Sequence, residues 1–261
     1  MESQEIEHWA KVLNDARLSA KAIEQISNKL PHFDRMDAYK IQEQGMKLRL
    51  QAGEKIIGQK MGLTSEQKRV QMNLDSPLYG ELTDKMQVQL QGQYKLQGQI
   101  HPKIEPEIAF LMKKELKGKV SLEEALDAID CACACMEILD SRYQGFKYFS
   151  MEDVISDNSS SSQFVLGPWK KDLKNLDWKS LKMEMFVNDI SSQKGVSEDI
   201  SGHPVQSLVE LAHLMSLRNR SVLPGMIVLA GAATPAVAME PGMRVKLVVD
   251  HFENVEIEVV E

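Results

Sequence analysis

The chain is poor in cysteine and aromatic residues. It lacks any long apolar run, any basic block and any glycine-rich phosphate fingerprint. Each absence excludes something. Three cysteines occur in 261 residues, and Cys131, Cys133 and Cys135 alternate with Ala132 and Ala134. Cys-x-Cys spacing is too tight for an ordinary intrachain bridge and the count is odd, so a disulfide framework is excluded. No stretch approaches the roughly 20 apolar residues that span a bilayer. The segment Met1 to Glu7 is acidic and has no apolar centre, unlike a secretory signal. Lysine and arginine total 31 against 38 acidic residues, a net charge of −7. Without a basic cluster, nucleic-acid binding has little electrostatic support. No Walker loop or dinucleotide-binding glycine pattern is present. The expectation is a cytoplasmic protein with no nucleic-acid or membrane partner. The remaining composition, 43% hydrophobic and 26% charged, is that of an ordinary globular protein. The length suffices for a sizeable core in one or two domains.

The alternating thiols read first as small buried hydrophobes, because free cysteine packs like one. A thiolate site for a soft metal is the functional alternative. On a strand the three thiols share a face with Glu137, but no nearby histidine or fourth cysteine completes a zinc set.

Three glutamates stand out more. Glu105 and Glu107 lie in Ile104-Glu105-Pro106-Glu107-Ile108, and Glu137 follows in Met136-Glu137-Ile138-Leu139-Asp140-Ser141-Arg142. Residues two apart on a strand point to one face. Two carboxylates projecting from an apolar segment are costly to bury unless a cation neutralises them. A hard divalent ion with oxygen ligands does this, and Mg²⁺ commonly keeps positions open for water or substrate. The alternative is an edge strand with two solvated glutamates.

The front of the chain reads as helical and the back as strand-rich. Ile6, Trp9, Val12, Leu13, Leu18, Ile23 and Ile26 predict a helix from Glu5 to about Leu30. A second helix is expected from Asp34 to Ala52, with Gly53 as its stop. Ile56 to Leu63 reads as a glycine-broken strand. Thr64 or Ser65 would cap a short helix through Met72, and Asp75-Ser76-Pro77 signals a turn. A strand is expected over Ile104 to Met112. Ser121 and Glu124 form a capping box that opens a helix through Ile129. The serine-rich stretch Ser156 to Ser162 reads as an ordered loop, and Pro204 opens a helix through Met215. Pro224-Gly225 and Pro241-Gly242 each precede a strand. The pattern predicts an α+β fold: residues 1–80 mainly helical, 81–261 a β-rich catalytic core, together one compact unit.

Several segments resemble a known family. Lys60-Met61-Gly62-Leu63-Thr64-Ser65, Pro77-Leu78-Tyr79-Gly80, His101 to Ile108, Glu137 to Tyr143 and Asp157-Asn158-Ser159-Ser160 are similar to the 4-oxalocrotonate decarboxylases. These share the fumarylacetoacetate hydrolase fold with the 2-hydroxypenta-2,4-dienoate hydratases. The resemblance runs from the second helix to the C-terminal strands. It implies a helical N-terminal region and a folded-over mixed β-sheet core. Leu78-Tyr79 before Gly80, and the run from Asp140 to Lys147, resemble the decarboxylase branch more than the hydratase. The Cys-Ala-Cys-Ala-Cys run departs from the family pattern.

The resemblance implies Glu105, Glu107 and Glu137 as ligands of Mg²⁺, with Mn²⁺ as an alternative, and Lys60 as an active-site base or charge-binding group. Further candidates for substrate contact are Leu78, Asp84, Arg142, Ser160 and Thr234. Read from the residues alone, Lys60 is a surface lysine, Arg142 a structural ion-pair partner and the serines satisfiers of loop backbone. Gly231-Ala232-Ala233-Thr234 offers backbone amides that small side chains leave approachable. The implied reaction is loss of CO₂ from a small 2-oxo dicarboxylate, 2-oxohex-3-enedioate, in catechol meta-cleavage degradation. Hydration of 2-hydroxypenta-2,4-dienoate, acylpyruvate cleavage or tautomerisation, and a non-catalytic partner role are the alternatives. The implied protein partner is the pathway hydratase.

Overall fold

The computed structural model of the chain describes residues 1–65, 69, 76–146 and 150–261. The short helix expected through Met72 and the turn residue Asp75 lie outside the described residues.

Helix α1 (Ser3–Ser19) buries Trp9, Ala10, Leu13 and Ala16 at helical spacing, and α2 (Arg35–Gln51) buries Ala38, Ile41 and Met46. Asp34 caps α2 by accepting the Asp37 N–H at 2.9 Å, and Gly53 follows with φ +92°. The first helix is shorter than the apolar spacing predicts. It ends at Ser19, with Ala20 in the left-handed region. The chain beyond is needed elsewhere. Ile23 N–H donates to Arg142 O at 2.9 Å, and Ile23 O accepts Gln144 N–H at 2.8 Å. Those backbone groups cannot serve a helix and this bridge together.

The fold is α+β, with two mixed sheets. The larger contains β1 (Ile56–Gly62), β2 (Leu78–Thr83), β3 (Gln87–Val88), β5 (Lys103–Met112), β6 (Ile129–Leu139), β7 (Ser161–Leu166) and β10 (Ile227–Leu229) in the order β2-β1-β10-β5-β6-β7-β3. A short β11 (Val237–Ala238) adds to β5. The outermost strands, β2 and β3, are consecutive in sequence and joined by a single 3₁₀ turn, Asp84–Met86. The sheet therefore folds over on itself. Its inner face carries Leu82, Met86, Ala109, Cys133, Cys135, Phe164, Leu166 and Leu229, all buried.

The smaller sheet orders β4 (Gln93–Lys95), β13 (Val255–Val260), β12 (Arg244–Val249), β8 (Lys182–Val187) and β9 (Ile190–Val196) as β4-β13-β12-β8-β9. Its Met183, Met185, Val245 and Leu247 join Ile108, Phe110, Ala134 and Met136 of the larger sheet in one core. Alternation thus sorts β5 and β6 cleanly. Odd-numbered positions face the fold's interior cleft, and even-numbered ones face the sheet-to-sheet core. Helices α3 (Leu122–Asp127), α4 (Met151–Ser156) and α5 (Gln206–Ser216) fill the connections. Ser121 caps α3 through the expected box with Glu124. Among the described residues no helix is long and apolar enough to cross a membrane.

Candidate active site and metal centre

Strands β5 and β6 pair antiparallel, with Glu105 opposite Glu137 and Glu107 opposite Cys135. This register brings one carboxylate oxygen from each of Glu105, Glu107 and Glu137 within 4.8 Å of the others. Glu107 and Glu137 are completely buried, and Glu105 is half-buried at the rim. Burial pushes the Glu107 carboxyl well above the usual range, and the charges of Glu137 and Glu105 push it further. Lys60 and a hydrogen bond from Gly231 N–H to Glu107 Oε2, at 2.8 Å, oppose that rise. Burial also raises the Glu137 carboxyl, against the pull of Lys60.

Lys60 comes from β1. Its backbone lies opposite Leu229 of β10, which in turn lies opposite Ala109 of β5, so its side chain shares the inner face with Glu107. Nζ stands 3.1 Å from Glu137 Oε2, and the residue is 2% exposed. A surface lysine is thereby excluded. The flanking glycines make room for protein rather than for a ligand. A Cβ on Gly58 would stand 2.0 Å from Ile227 O, and one on Gly62 2.7 Å from Ser159 Oγ.

One ammonium cannot balance three carboxylates. Glu107 Oε1 and Glu137 Oε1 are buried without a hydrogen-bond partner among the described residues. Unsatisfied buried carboxylate oxygens are rare because they forfeit their hydration. Three clustered carboxylates, two of them with unpartnered oxygens, in a pocket that also holds an ammonium, fit a divalent cation of the Mg²⁺ type.

Immediately before β7 runs a strained turn, which lies against Gly62 and Gly80. Asn158, Ser159 and Ser160 have φ of +50°, +57° and +55°, three consecutive left-handed residues without a glycine. Such a run persists only where its surroundings dictate it. Asn158 supplies one restraint: Oδ1 accepts Glu81 N–H at 2.8 Å and Nδ2 donates to Glu81 O at 2.9 Å. Gly80 permits this approach, since a Cβ there would lie 2.6 Å from Asn158 O. Arg142 supplies the other. Its guanidinium is bound to the carboxylate and carbonyl of Asp157, and to the carbonyls of Asp140 at 2.7 Å and Ser161 at 3.1 Å. Burial raises the Asp157 carboxyl to about 6, with Arg142 pulling the other way.

The other candidates divide. Leu78 is buried opposite Gly62, on the same face as Lys60. Ser160 lies in the strained turn, its hydroxyl 3.5 Å from Asp157 Oδ2. Thr234 is buried and donates to Pro235 O at 3.3 Å. Its segment lies along β5, with Ala233 N–H on Pro106 O, and the Gly231 amide is committed to Glu107. Asp84 is not brought to the carboxylates. It sits beyond Thr83, which pairs with Ile56 at the opposite end of β1 from Gly62, and it accepts Lys55 N–H at 2.8 Å. Glu81 does not stand out in the sequence, and Asn158 enters only as part of the run Asp157-Asn158-Ser159-Ser160. The only signal was a run of Asp, Asn and Ser, residues that tolerate left-handed backbone.

Residues 82–260 match the family model of the fumarylacetoacetate hydrolase C-terminal region. The chain is 39% identical to a 4-oxalocrotonate decarboxylase of Pseudomonas sp. over 247 residues, 95% of each protein. It is 31% identical over 263 residues to a 2-hydroxyhexa-2,4-dienoate hydratase of Comamonas testosteroni, covering 100% of this chain and 99% of that one. Among solved structures, a 4-oxalocrotonate decarboxylase from Pseudomonas putida G7, complexed with magnesium and adipate, superposes with a TM-score of 0.96. It shares 31% identity, over 100% of this chain and 99% of that one.

Proposed function

The chain belongs to the fumarylacetoacetate hydrolase family, and we propose that it is a Mg²⁺-dependent carboxy-lyase that converts 4-oxalocrotonate (2-oxohex-3-enedioate) to 2-hydroxypenta-2,4-dienoate. One observation carries this reading: three clustered glutamates, two of them fully buried, share a pocket with the buried ammonium of Lys60. The relatives named as decarboxylases are 34–39% identical to it. The solved decarboxylase holds adipate, a six-carbon dicarboxylate like the proposed substrate.

Breaking the bond to the distal carboxylate releases CO₂ and leaves an electron pair. The pair runs through the conjugated system to the 2-oxo oxygen. Bound Mg²⁺, held by Glu105, Glu107 and Glu137, supplies Lewis-acid stabilisation of that developing charge. Lys60 adds a second positive charge inside a dry pocket, where a preorganised cation is most effective. Its Nζ holds a proton that the enol oxygen takes to complete the product. The strained turn presents Ser159 and Ser160 to the substrate carboxylates, with Arg142 and Asn158 fixing its shape. Leu78 and Thr234 shape the pocket, and Asp84 braces the start of β1 against the end of β2.

Hydration of the dienoate is the second reading, favoured by the full-length match to a hydratase. An assay separates the two. Absorbance loss and CO₂ release from 4-oxalocrotonate, abolished by EDTA and restored by Mg²⁺, are expected. Hydration of 2-hydroxypenta-2,4-dienoate without any CO₂ release from 4-oxalocrotonate would favour the hydratase. The dienol product ketonises in water, so this reading also includes a physical complex with the pathway hydratase. Mixing the two at micromolar concentration should give a joint sedimentation boundary, and independent boundaries would remove the complex from the reading.

A further inference from the structure

Behind the strained turn, between α1 and α2, lies a cavity of about 40 Å³. Neither the three glutamates nor Lys60 lines it. Three arginines do: Arg17 from α1, Arg49 from α2 and Arg142. Two of them are matched. Arg49 Nε bonds Glu54 Oε2 at 2.9 Å, and Arg142 bonds Asp157. Arg17 is not matched. Among the described residues its hydrogen bond goes to a neutral amide, Asn14 Oδ1, at 3.0 Å, and it forms no ion pair. A guanidinium has five N–H donors, so most of this one faces the cavity or solvent. Its proton affinity reports the crowding. Burial first, then the charge of Arg49, lowers the Arg17 pKa to about 10, with Glu54 opposing and Arg142 adding a smaller push.

Arg17 is half-buried, and an excess of positive charge beside a cavity is relieved by an anion, since arginine keeps its proton at neutral pH. We propose that this cavity binds a small planar oxyanion, a carboxylate or bicarbonate, on the fork of Arg17. The class follows from shape and size. A planar guanidinium pairs best with two coplanar oxygens. The volume admits roughly three waters, so a formate- or bicarbonate-sized group enters and a nucleotide does not. Ala10, Leu13 and Ile41 form apolar wall and offer no second charged contact. Asp157 and Asn158 form the opposite wall, so occupancy touches the strained turn itself.

The test is thermal unfolding of the full chain in sodium formate and, separately, sodium bicarbonate, with ionic strength matched by sodium chloride. An anion at ten times its dissociation constant should raise Tm by about 2–4 °C. A shift with formate alone assigns an organic carboxylate, and one with bicarbonate alone assigns the inorganic ion. Arg17→Gln should abolish the shift. Asn14→Asp places a carboxylate where Arg17 already reaches, so it should raise the anion-free Tm and also abolish the shift. This second variant keeps the test decisive if Arg17→Gln folds poorly. No shift in the unaltered protein with either anion, or an undiminished shift in Asn14→Asp, overturns the proposal.

Discussion

The inner face of β5 and β6 has two ends, built on the same backbone and buried to the same degree. At one end Glu105 and Glu107 meet Glu137. At the other, Ala109 and Leu111 meet Cys133 and Cys131. The apolar end needs nothing further, because thiols and methyl groups pack without unmet hydrogen bonds. The acidic end has unpartnered oxygens, and burial with mutual repulsion raises the Glu107 carboxyl well above the usual range. The contrast teaches that burial alone marks nothing as functional. What marks a site is burial of groups whose solvation the protein has not replaced.

The sharpest way to break the contrast is to neutralise the acidic end. Glu107→Gln should reduce decarboxylation by about 10³-fold or more, the loss expected when several kcal/mol of charge stabilisation disappears. Mg²⁺ affinity by calorimetry should fall in parallel. In EDTA the same variant should be at least as stable as the parent, because a repelling buried carboxylate is gone. A lower Tm in EDTA would mean that Glu107 is simply a structural residue.

Lys60→Ala comes next. Loss of one preorganised charge should lower kcat about 10²–10³-fold while Mg²⁺ still binds. A rise in KM with kcat unchanged would assign Lys60 to ground-state binding instead. Unaltered kinetics would remove it from the site.

The apolar end should behave in the opposite way. Replacing Cys131, Cys133 and Cys135 together with Ala should cost about 1 kcal/mol of stability per site and leave kcat within about threefold. Loss of Mg²⁺ binding in a well-folded triple variant would revive the thiolate alternative.

The smallest expected effect is on pH dependence. Burial raises the Cys131 and Cys133 thiols above the ordinary value of 9.0. The folded protein therefore keeps protons that the unfolded chain releases. Their contribution to stability is complete below about pH 9 and is lost as pH climbs toward the folded values. Urea unfolding between pH 8 and 10.5 should show this decline, with a shallower slope in the Cys→Ala variant.

Legibility followed the range of the interactions. Helix α2 and the α3 capping box were readable because a cap and its partner lie three residues apart. The end of α1 was not, because a bridge to Tyr143 more than a hundred residues away terminates it. The final strand, β13, alternates Val255, Ile257 and Val259 with Glu256 and Glu258, yet its partners β4 and β12 are set only by the sheet. At the site, the common face of Glu105 and Glu107 could be read from strand alternation. The role of Gly58 and Gly62 could not, because the atoms that need their space belong to Ile227 and Ser159.

The sequence by itself determined the α+β pattern, the shared face of Glu105 and Glu107, and the family to which the chain belongs, because these rest on local periodicity and on residue identity. Only the tertiary structure decided that Glu137 stands opposite Glu105, that Lys60 reaches Glu137 across two intervening strands, and that Arg142 and Asn158 hold three left-handed residues at the start of β7. Register and sheet order set those distances, and both follow from burying whole strand faces against each other rather than from any one segment's preferences.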